Sequence, residues 1–175
     1  MIVYIYGGVS SGKSRYAEEL ILKNFDNRIY LATMENSGDV SQERIMRHLK
    51  QREGKGFTNI EEPENIRNIN IKAESNILLE DLTNLLVNNI FYEGGLRIDY
   101  NKITESIFSD IIALEKRCNS IFIVGNDVFS TNRHISKELD VFLECLYSLH
   151  NKLYDISYMV IEVIYGLPYY RKKNE

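Results

Sequence analysis

The sequence predicts an α/β protein built on a mostly parallel, twisted β-sheet with helices on both faces. Short apolar runs recur along the chain, and segments with the apolar spacing of amphipathic helices separate them. Parallel strands need such crossover connections. With 175 residues, of which 44% are hydrophobic and 26% charged, the chain is long enough for one sizeable core. We therefore expect a single domain over residues 1–175.

Each predicted element follows from its own pattern. The apolar runs predict strands over residues 1–6, 28–33, 76–80, 120–125 and 157–165. Apolar residues spaced three or four apart predict helices over residues 14–24, 100–117 and 139–154. A further helical segment is expected directly after the third strand, over residues 82–91.

Residues 38–63 are expected to form a mobile excursion outside the sheet framework. Within it, residues 42–52 have a narrow apolar stripe and a basic opposite side, which predicts a basic helix. Gly54 and Gly56 end that pattern, and Pro63 closes the irregular stretch. The excursion would therefore present positive charge beside the sheet.

Composition argues against several classes of protein. The formal net charge of −4 argues against a nucleic-acid-binding surface, and the short basic tail at residues 171–173 does not change this. Cys118 and Cys145 lack a CxxC spacing, so we expect reduced thiols and no zinc or disulfide. No targeting segment or membrane-spanning run is visible. We expect a cytoplasmic protein without nucleic-acid or membrane partners.

The sequence GGVSSGKS, between the first strand and the first helix, is the clearest motif. It fits G-x-x-x-x-G-K-[ST] at every position, in the strand–loop–helix context that this pattern requires. Glycines let the backbone N–H groups point inward around phosphate, and the helix N-terminus reinforces them. Lys13 would reach the β- and γ-phosphates, and the Ser14 hydroxyl would bind Mg²⁺. The predicted phosphate loop (residues 7–14) comprises Gly7, Gly8, Val9, Ser10, Ser11, Gly12, Lys13 and Ser14.

A P-loop also needs a carboxylate near the metal, at the end of a neighbouring strand. The strand over residues 76–80 ends in Glu80, and Asp81 follows it. Because side chains alternate along a strand, only one of the two acids should point at the phosphates. The other is expected to cap the helical segment that follows. Glu80 and Asp81 are both candidate metal ligands.

His48 is the candidate nucleophile. It lies one turn after Arg44 on the predicted basic helix. Positive neighbours would keep its imidazole neutral, which favours a nucleophile, and would attract a triphosphate. His134 and His150 lack such a setting and are expected to be ordinary surface residues. The basic residues near His48 are Arg44, Arg47, Lys50 and Arg52.

Together these segments resemble the bifunctional adenosylcobinamide kinase and adenosylcobinamide-phosphate guanylyltransferase family of cobalamin biosynthesis. The Arg-Ile-x-x-His element is the specific part, because many families share the P-loop. The resemblance covers most of the chain up to Asp127. The matching segments, in the family's order, are GGVSSGKSRYAEE (7–19), YLAT (30–33), RIMRH (44–48) with Arg52 beyond it, FTNIEEP (57–63), ILLEDLTNLLVN (77–88) and VGND (124–127).

The resemblance implies a P-loop (RecA-like) fold and a two-step transferase that uses ATP or GTP with Mg²⁺. The γ-phosphate passes to a hydroxyl of adenosylcobinamide; GTP then guanylylates His48, and GMP moves to the cobinamide phosphate. The family's trimers imply a homo-oligomer. The implied catalytic residues are His48, Lys13 and Glu80, and the implied further nucleotide contacts are Thr33, Arg44, Arg47, Arg52 and Glu61.

The chain departs from the family pattern at Phe57 and around the end of the last matching segment, residues 124–127. The family's Asn-Glu pair and glycine-rich loop are replaced by Asn126-Asp127-Val128-Phe129, and the family's tryptophan is absent at Phe57. These departures lie where the corrinoid or a neighbouring subunit would be contacted. They leave open whether both activities are kept.

Two other functions are compatible with a phosphate loop. One is a kinase for another small substrate, with His48 as a phosphate contact. The other is a nucleotide-binding switch without metabolite turnover. A switch has no use for a neutral histidine among arginines, and the sequence lacks the Asn/Thr-Lys-x-Asp element of switch GTPases. The basic helix therefore favours the transferase.

Overall fold

The computed structural model describes residues 1–34, 53–92, 95–128 and 136–174. The helices of this part of the chain are α1 (Lys13–Asn24), α2 (Leu82–Ile90), α3 (Tyr100–Glu115) and α4 (Lys137–Ile156), with one 3₁₀ turn at Ile66–Asn68. The strands are β1 (Ile2–Gly7), β2 (Arg28–Ala32), β3 (Phe57–Glu61), β4 (Asn76–Glu80), β5 (Phe91–Tyr92), β6 (Gly95–Leu96), β7 (Ser120–Asn126), β8 (Met159–Ile164) and β9 (Leu167–Lys173).

Seven of these strands form one sheet, in the order β3-β2-β4-β7-β1-β8-β9. All neighbours from β3 to β8 pair in parallel, and β9 returns antiparallel to β8. β5 and β6 form a separate small hairpin. The mostly parallel α/β sheet predicted from the sequence is confirmed.

Alternation along β1 shows how the sheet is covered. Ile2 and Tyr4 belong to a core cluster with residues of α2, α3 and α4, whereas Val3 and Ile5 belong to a second cluster with residues of α1. Both faces are therefore buried under helices, as predicted. Full burial of each large aliphatic side chain contributes roughly 1.5 to 3 kcal/mol to folding.

The five predicted strands and the helices expected at residues 14–24, 82–91, 100–117 and 139–154 are all present, within two residues at each end. The helix predicted over residues 42–52 lies outside the described residues. Cys118 and Cys145 are free thiols, as expected. Within the described ranges, no helix has the length and apolar character needed to cross a bilayer.

The expectation that residues 38–63 lie wholly outside the sheet is wrong at its C-terminal end. β3 pairs in parallel with β2 and forms one edge of the sheet. Its side chains are exposed or half-buried, because an edge strand contacts a single neighbour and little core. The sequence of β3 therefore has no clear apolar run from which the strand could be predicted. Gly54 and Gly56, which are expected to end the helical pattern, both have positive φ angles.

β9 corrects a second expectation, that residues 171–173 form a basic tail. They end a strand that contains Pro168 and several basic and tyrosine residues. Proline and positive charge are both typical of edge strands, where they discourage further strand pairing. Such a strand has no apolar run by which the sequence could reveal it.

His150 is not the ordinary surface residue that was expected. Its Nδ1 shares a 2.7 Å hydrogen bond with the Tyr4 hydroxyl, and its ring stands edge-on to those of Tyr4 and Tyr6. Burial lowers the pKa of His150 to about 4. A signal was available, because His150 lies four residues after Leu146 and three before Leu153, on the apolar stripe of α4. His134 lies outside the described residues.

Candidate nucleotide-binding site

The phosphate loop joins β1 to α1 at the carboxyl edge of the sheet. Gly8, Val9 and Ser10 form its exposed rim, while Lys13 begins α1 and is only 7% exposed. The Ser11 N–H donates to the Gly8 carbonyl at 3.1 Å and closes the loop on itself. The loop therefore stands at a helix N-terminus, where N–H groups and the helix dipole favour an anion.

Two of the glycines are required by geometry. A Cβ on Gly7 would lie 2.3 Å from the Val163 carbonyl oxygen, and Gly12 has a left-handed φ of +90°. Neither position accepts a side chain without a shift of the backbone. The signature glycines thus fix the path of the loop between β8 and α1.

Lys13 lies inside the loop, where its Nζ donates to the Gly8 carbonyl at 3.2 Å. Burial lowers the pKa of Lys13, and the nearby carboxylates of Asp81 and then Glu80 partly offset this shift. A buried ammonium that is incompletely compensated attracts further negative charge. A phosphate chain in the loop would supply it. Ser14, the next residue, is half-buried in the first turn of α1.

The two acids lie at the end of β4, with β7 between that strand and β1. Glu80 accepts a hydrogen bond from the Tyr30 hydroxyl through its Oε2. Asp81 caps α2, where its Oδ1 accepts from the Asn84 N–H at 2.6 Å. One of the two acids is expected to cap the helix, and Asp81 is that cap. The role of Glu80 as a metal ligand stays a prediction.

Capping does not remove Asp81 from the site. Its second oxygen, Oδ2, accepts from Asn126 Nδ2 at 2.8 Å, at the end of the intervening strand β7. Burial raises the pKa of Asp81, Glu80 raises it further, and the hydrogen bonds from Asn84 and Asn126 lower it in part. Lys13 also lowers it, so acid and lysine interact across the carboxyl edge.

Thr33 follows β2 and is fully buried. Its hydroxyl accepts from the Asp81 N–H and donates to the Asp81 carbonyl, both at 2.8 Å. Its carbonyl accepts from Asn88 of α2. In this arrangement Thr33 holds the backbone of the acidic pair, and its role as a nucleotide contact stays a prediction.

One of the remaining predicted residues lies away from the loop. Glu61 ends β3 and is exposed, four strand positions from β1, or roughly 19 Å at about 4.8 Å per strand. Arg44, Arg47, His48 and Arg52 lie outside the described residues. The described site therefore consists of the phosphate loop, the acidic pair and their supports.

Three supporting residues were not predicted as site residues. Tyr30 bonds to Glu80, Asn126 bonds to Asp81, and the Thr83 hydroxyl accepts from the Asn126 amide at 3.1 Å. Each lies on β2, on β7 or in the first turn of α2, close to the acidic pair. Tyr30 and Asn126 occur in the segments that match the family, but nothing in the sequence alone indicates their partners.

The donor set is suited to Mg²⁺. Among the described residues no cluster of three or more His, Cys, Asp or Glu could hold a metal. Mg²⁺ in nucleotide sites needs fewer protein ligands, because it keeps waters and binds phosphate oxygens as well. The Ser14 hydroxyl and the carboxylates that act on Lys13 are oxygen ligands of the required kind. The residues present therefore fit this ion with a bound nucleotide.

The fold and this site define a P-loop nucleotide-binding protein. Over residues 3–170 the chain matches the family described as cobinamide kinase / cobinamide phosphate guanyltransferase, and it belongs to that family. It is 31% identical over 140 residues to the bifunctional adenosylcobalamin biosynthesis protein CobU of Escherichia coli (strain K12). That alignment covers 73% of this chain and 76% of the relative. The family resemblance predicted from the sequence is confirmed.

One solved structure supports the fold, and a second shows a weaker likeness. An ATPase from the type III secretion system of pathogenic bacteria matches with a TM-score of 0.53 and 11% identity, over 97% of this chain and 56% of the ATPase. The P4 protein from bacteriophage phi6, in complex with ADP, matches with a TM-score of 0.47 and 14% identity, over 96% and 53%. This chain spans about half the length of each. The likeness to the ATPase concerns the fold alone.

Proposed function

We propose that this protein phosphorylates adenosylcobinamide with ATP or GTP and then transfers GMP from GTP to adenosylcobinamide phosphate. One observation carries the proposal: in a chain of this family, Lys13 lies within a glycine loop opposite Glu80 and Asp81. The same arrangement serves both steps, because each begins with a nucleoside triphosphate whose phosphate charge must be held.

In the kinase step the phosphate loop and Lys13 hold the β- and γ-phosphates. The cobinamide hydroxyl oxygen attacks the γ-phosphorus, the bond to the β,γ-bridging oxygen breaks, and a nucleoside diphosphate leaves. The hydroxyl proton passes to a carboxylate, for which Glu80 is the candidate. When bound beside Ser14 and the acids, Mg²⁺ neutralises charge on the phosphates.

In the guanylyltransferase step His48 is the proposed nucleophile. Its imidazole nitrogen attacks the α-phosphorus of GTP, and pyrophosphate leaves. A phosphate oxygen of adenosylcobinamide phosphate then attacks the same phosphorus, the P–N bond breaks, and adenosylcobinamide-GDP forms. Arg44, Arg47 and Arg52 are proposed to bind the phosphates. This step rests on the family resemblance and on the basic sequence around His48.

The covalent intermediate can be tested directly by intact-protein mass spectrometry. Wild-type protein incubated with GTP and Mg²⁺, without corrinoid, should gain the mass of one GMP group, and acid should remove it because phosphoramidates are acid-labile. His48→Ala should gain nothing, whereas the control His134→Ala should be modified like wild type. Phosphorylation of adenosylcobinamide should persist in His48→Ala.

Two outcomes would contradict parts of the proposal. A GMP adduct on His48→Ala would assign the nucleophile to another residue. Absence of any adduct in folded protein that binds GTP would leave a P-loop kinase, and adenosylcobinamide would then be tested as its phosphate acceptor. The replaced sequence at residues 126–129 makes this second result informative, since it departs from the family pattern.

We further infer that the chain acts as one cytoplasmic domain within a homo-oligomer, with a trimer as the arrangement implied by the family resemblance. Light scattering coupled to size-exclusion chromatography measures the assembly mass directly. A monomer that retained both activities would show that no neighbouring subunit is needed.

A further inference from the structure

The turn between β8 and β9 presents a tyrosine to solvent. Ile164 and Leu167 pair directly across this hairpin, so its loop consists of Tyr165 and Gly166. The Tyr165 side chain is 95% exposed. An aromatic ring at that exposure contributes almost nothing to the core.

The backbone of the turn makes the presence of tyrosine more unusual. Tyr165 has a φ of +50° and Gly166 a φ of +80°. Positive φ at both positions is the mark of a type I′ turn, whose first position favours asparagine, aspartate or glycine. A bulky residue with positive φ is uncommon, and such residues cluster at ligand-binding sites. Packing does not explain why this turn contains tyrosine.

The same turn is held against the phosphate loop. The Gly166 N–H donates to the Ser11 carbonyl at 2.7 Å. The Gly166 Cα lies 3.2 Å from the position that a Cβ would take on Gly12. Tyr165 is the residue next to this contact, and consecutive Cα atoms are about 3.8 Å apart. Its ring therefore projects from a turn that is fixed to the loop.

The sheet order indicates which part of a nucleotide would face that turn. The acidic strand β4 lies two positions from β1 on one side, and β8 is the neighbour of β1 on the other. Lys13 and the carboxylates mark the end where the β- and γ-phosphates and the metal bind. The α-phosphate, ribose and base must then extend in the opposite direction, over β1 and β8. The Tyr165 turn lies on that side.

We propose that the Tyr165 ring is the stacking platform for the purine base of the nucleotide bound at the phosphate loop. The proposal rests on the nucleotide binding put forward above and adds the residue that contacts the base. Stacking uses the face of the ring system, which adenine and guanine share. A platform of this kind suits a site that accepts both ATP and GTP.

The test compares substitutions that separate stacking from folding. Calorimetry would give the Kd of the wild-type turn, Tyr165→Asn and Tyr165→Phe for GTP, ATP and inorganic tripolyphosphate, each with Mg²⁺. All three proteins also carry His48→Ala, so that GTP is bound without being consumed. Asparagine suits the type I′ turn, so the variant should unfold at the same temperature as wild type or higher. Its Kd for both nucleotides should rise about tenfold, within the range measured for base–aromatic stacking. Tyr165→Phe should bind like wild type.

Tripolyphosphate separates the base from the phosphates, because it has no base to stack. Its Kd should be the same for wild type and Tyr165→Asn. The matched control is Tyr158→Asn, which replaces another exposed tyrosine just before the opposite end of β8 and should leave every Kd unchanged.

Each contrary result has a distinct meaning. Unchanged nucleotide affinity in folded Tyr165→Asn would overturn the stacking role. Equal weakening of tripolyphosphate would also overturn it, since the turn would then act on the loop instead of the base. Wild-type protein that binds neither nucleotide nor tripolyphosphate would refute the nucleotide site, and the stacking proposal with it.

Discussion

Buried polar networks lie at both ends of the parallel strands, at the amino ends (the amino edge) and at the carboxyl ends (the carboxyl edge). The two networks differ in kind. At the amino edge, the Asn76 Oδ1 accepts from Ser120 Oγ at 2.6 Å and from Asn119 Nδ2 at 2.8 Å, and its Nδ2 donates to the Asp26 carbonyl at 2.6 Å. Every member is neutral. At the carboxyl edge, Lys13 and Asp81 are charged groups whose pKa values burial shifts towards the neutral forms.

This difference indicates what each network is for. A neutral network with its donors and acceptors paired stabilises the fold and gains nothing from a ligand. A lysine and an acid that burial makes less favourable in their charged forms gain stability when phosphate and a cation arrive. We therefore expect substitutions at the carboxyl edge to affect turnover, and substitutions at the amino edge to affect stability alone.

The largest effect is expected for Lys13→Met. Removing the ammonium that is proposed to contact the β- and γ-phosphates should lower phosphorylation of adenosylcobinamide by about a thousandfold or more, as for other groups that stabilise transition-state charge. The control is Lys23→Met, an exposed lysine in the last turn of the same helix. Steady-state kinetics with ATP and GTP measures both. Wild-type turnover in Lys13→Met would remove the main distinction between the two edges.

Substitutions of Glu80 and Asp81 separate effects on the Mg²⁺-dependent rate from effects on stability. Glu80→Gln should lower the Mg²⁺-dependent rate about 100-fold, at the upper end of the effects seen around metal sites, with little loss of stability. Asp81→Asn should also lower the free energy of unfolding, by about 1 kcal/mol, because the Asn126 amide loses its acceptor while the helix cap can persist. Magnesium titrations and urea unfolding separate the two variants. Equal stability of both would show that Asp81 is not the structural acid.

The sheet and the phosphate loop could be predicted from the sequence because their signals are local. β1, β4 and β7 are buried on both faces, which requires continuous apolar runs, and the loop needs its glycines and lysine in a fixed order. A helix cap by either Glu80 or Asp81 could also be predicted, because both acids stand directly before the helical segment in the sequence. β3 and β9 escaped prediction because edge strands need no apolar run.

The supports of the site could not be predicted, since they depend on which strands become neighbours. Tyr30 and Glu80 are 50 residues apart in the chain, and Asn126 lies 45 residues from Asp81. They meet because β2, β4 and β7 are adjacent in the sheet. Their pairing follows from the fold, not from any motif, and the same is true of the contact between Gly166 and Ser11.

A pH titration of the free energy of unfolding tests whether its pH dependence comes from groups in the carboxyl half of the sheet. The pKa of His150 is about 4 in the folded protein, with burial as the main cause, and it lies near Asp127, just after β7. Because the unfolded chain then binds a proton more readily, stability is complete above the ordinary histidine value near 6.5 and falls as the pH drops towards 4. About 2 kcal/mol should be lost between pH 6.5 and 5 through this group.

The matched variant for that titration is His150→Gln, which can still accept from the Tyr4 hydroxyl. The difference between the two unfolding curves isolates the contribution of His150, and the variant should be flatter below pH 6.5. Identical slopes for wild type and variant would mean that the imidazole titrates in the folded protein as it does in the unfolded chain.

The smallest effect on turnover is expected at the amino edge. Asn76→Ala should lower the free energy of unfolding by about 1 to 2 kcal/mol, because the buried Ser120 hydroxyl and the Asp26 carbonyl each lose a partner. The loss should be the same at pH 5 and pH 8, since the partners are neutral, and the KM for ATP and GTP should not change. Urea unfolding and steady-state kinetics measure the two quantities. A raised KM in the folded variant would show that the amino edge influences the phosphate loop through β4, and the two networks could no longer be treated as separate.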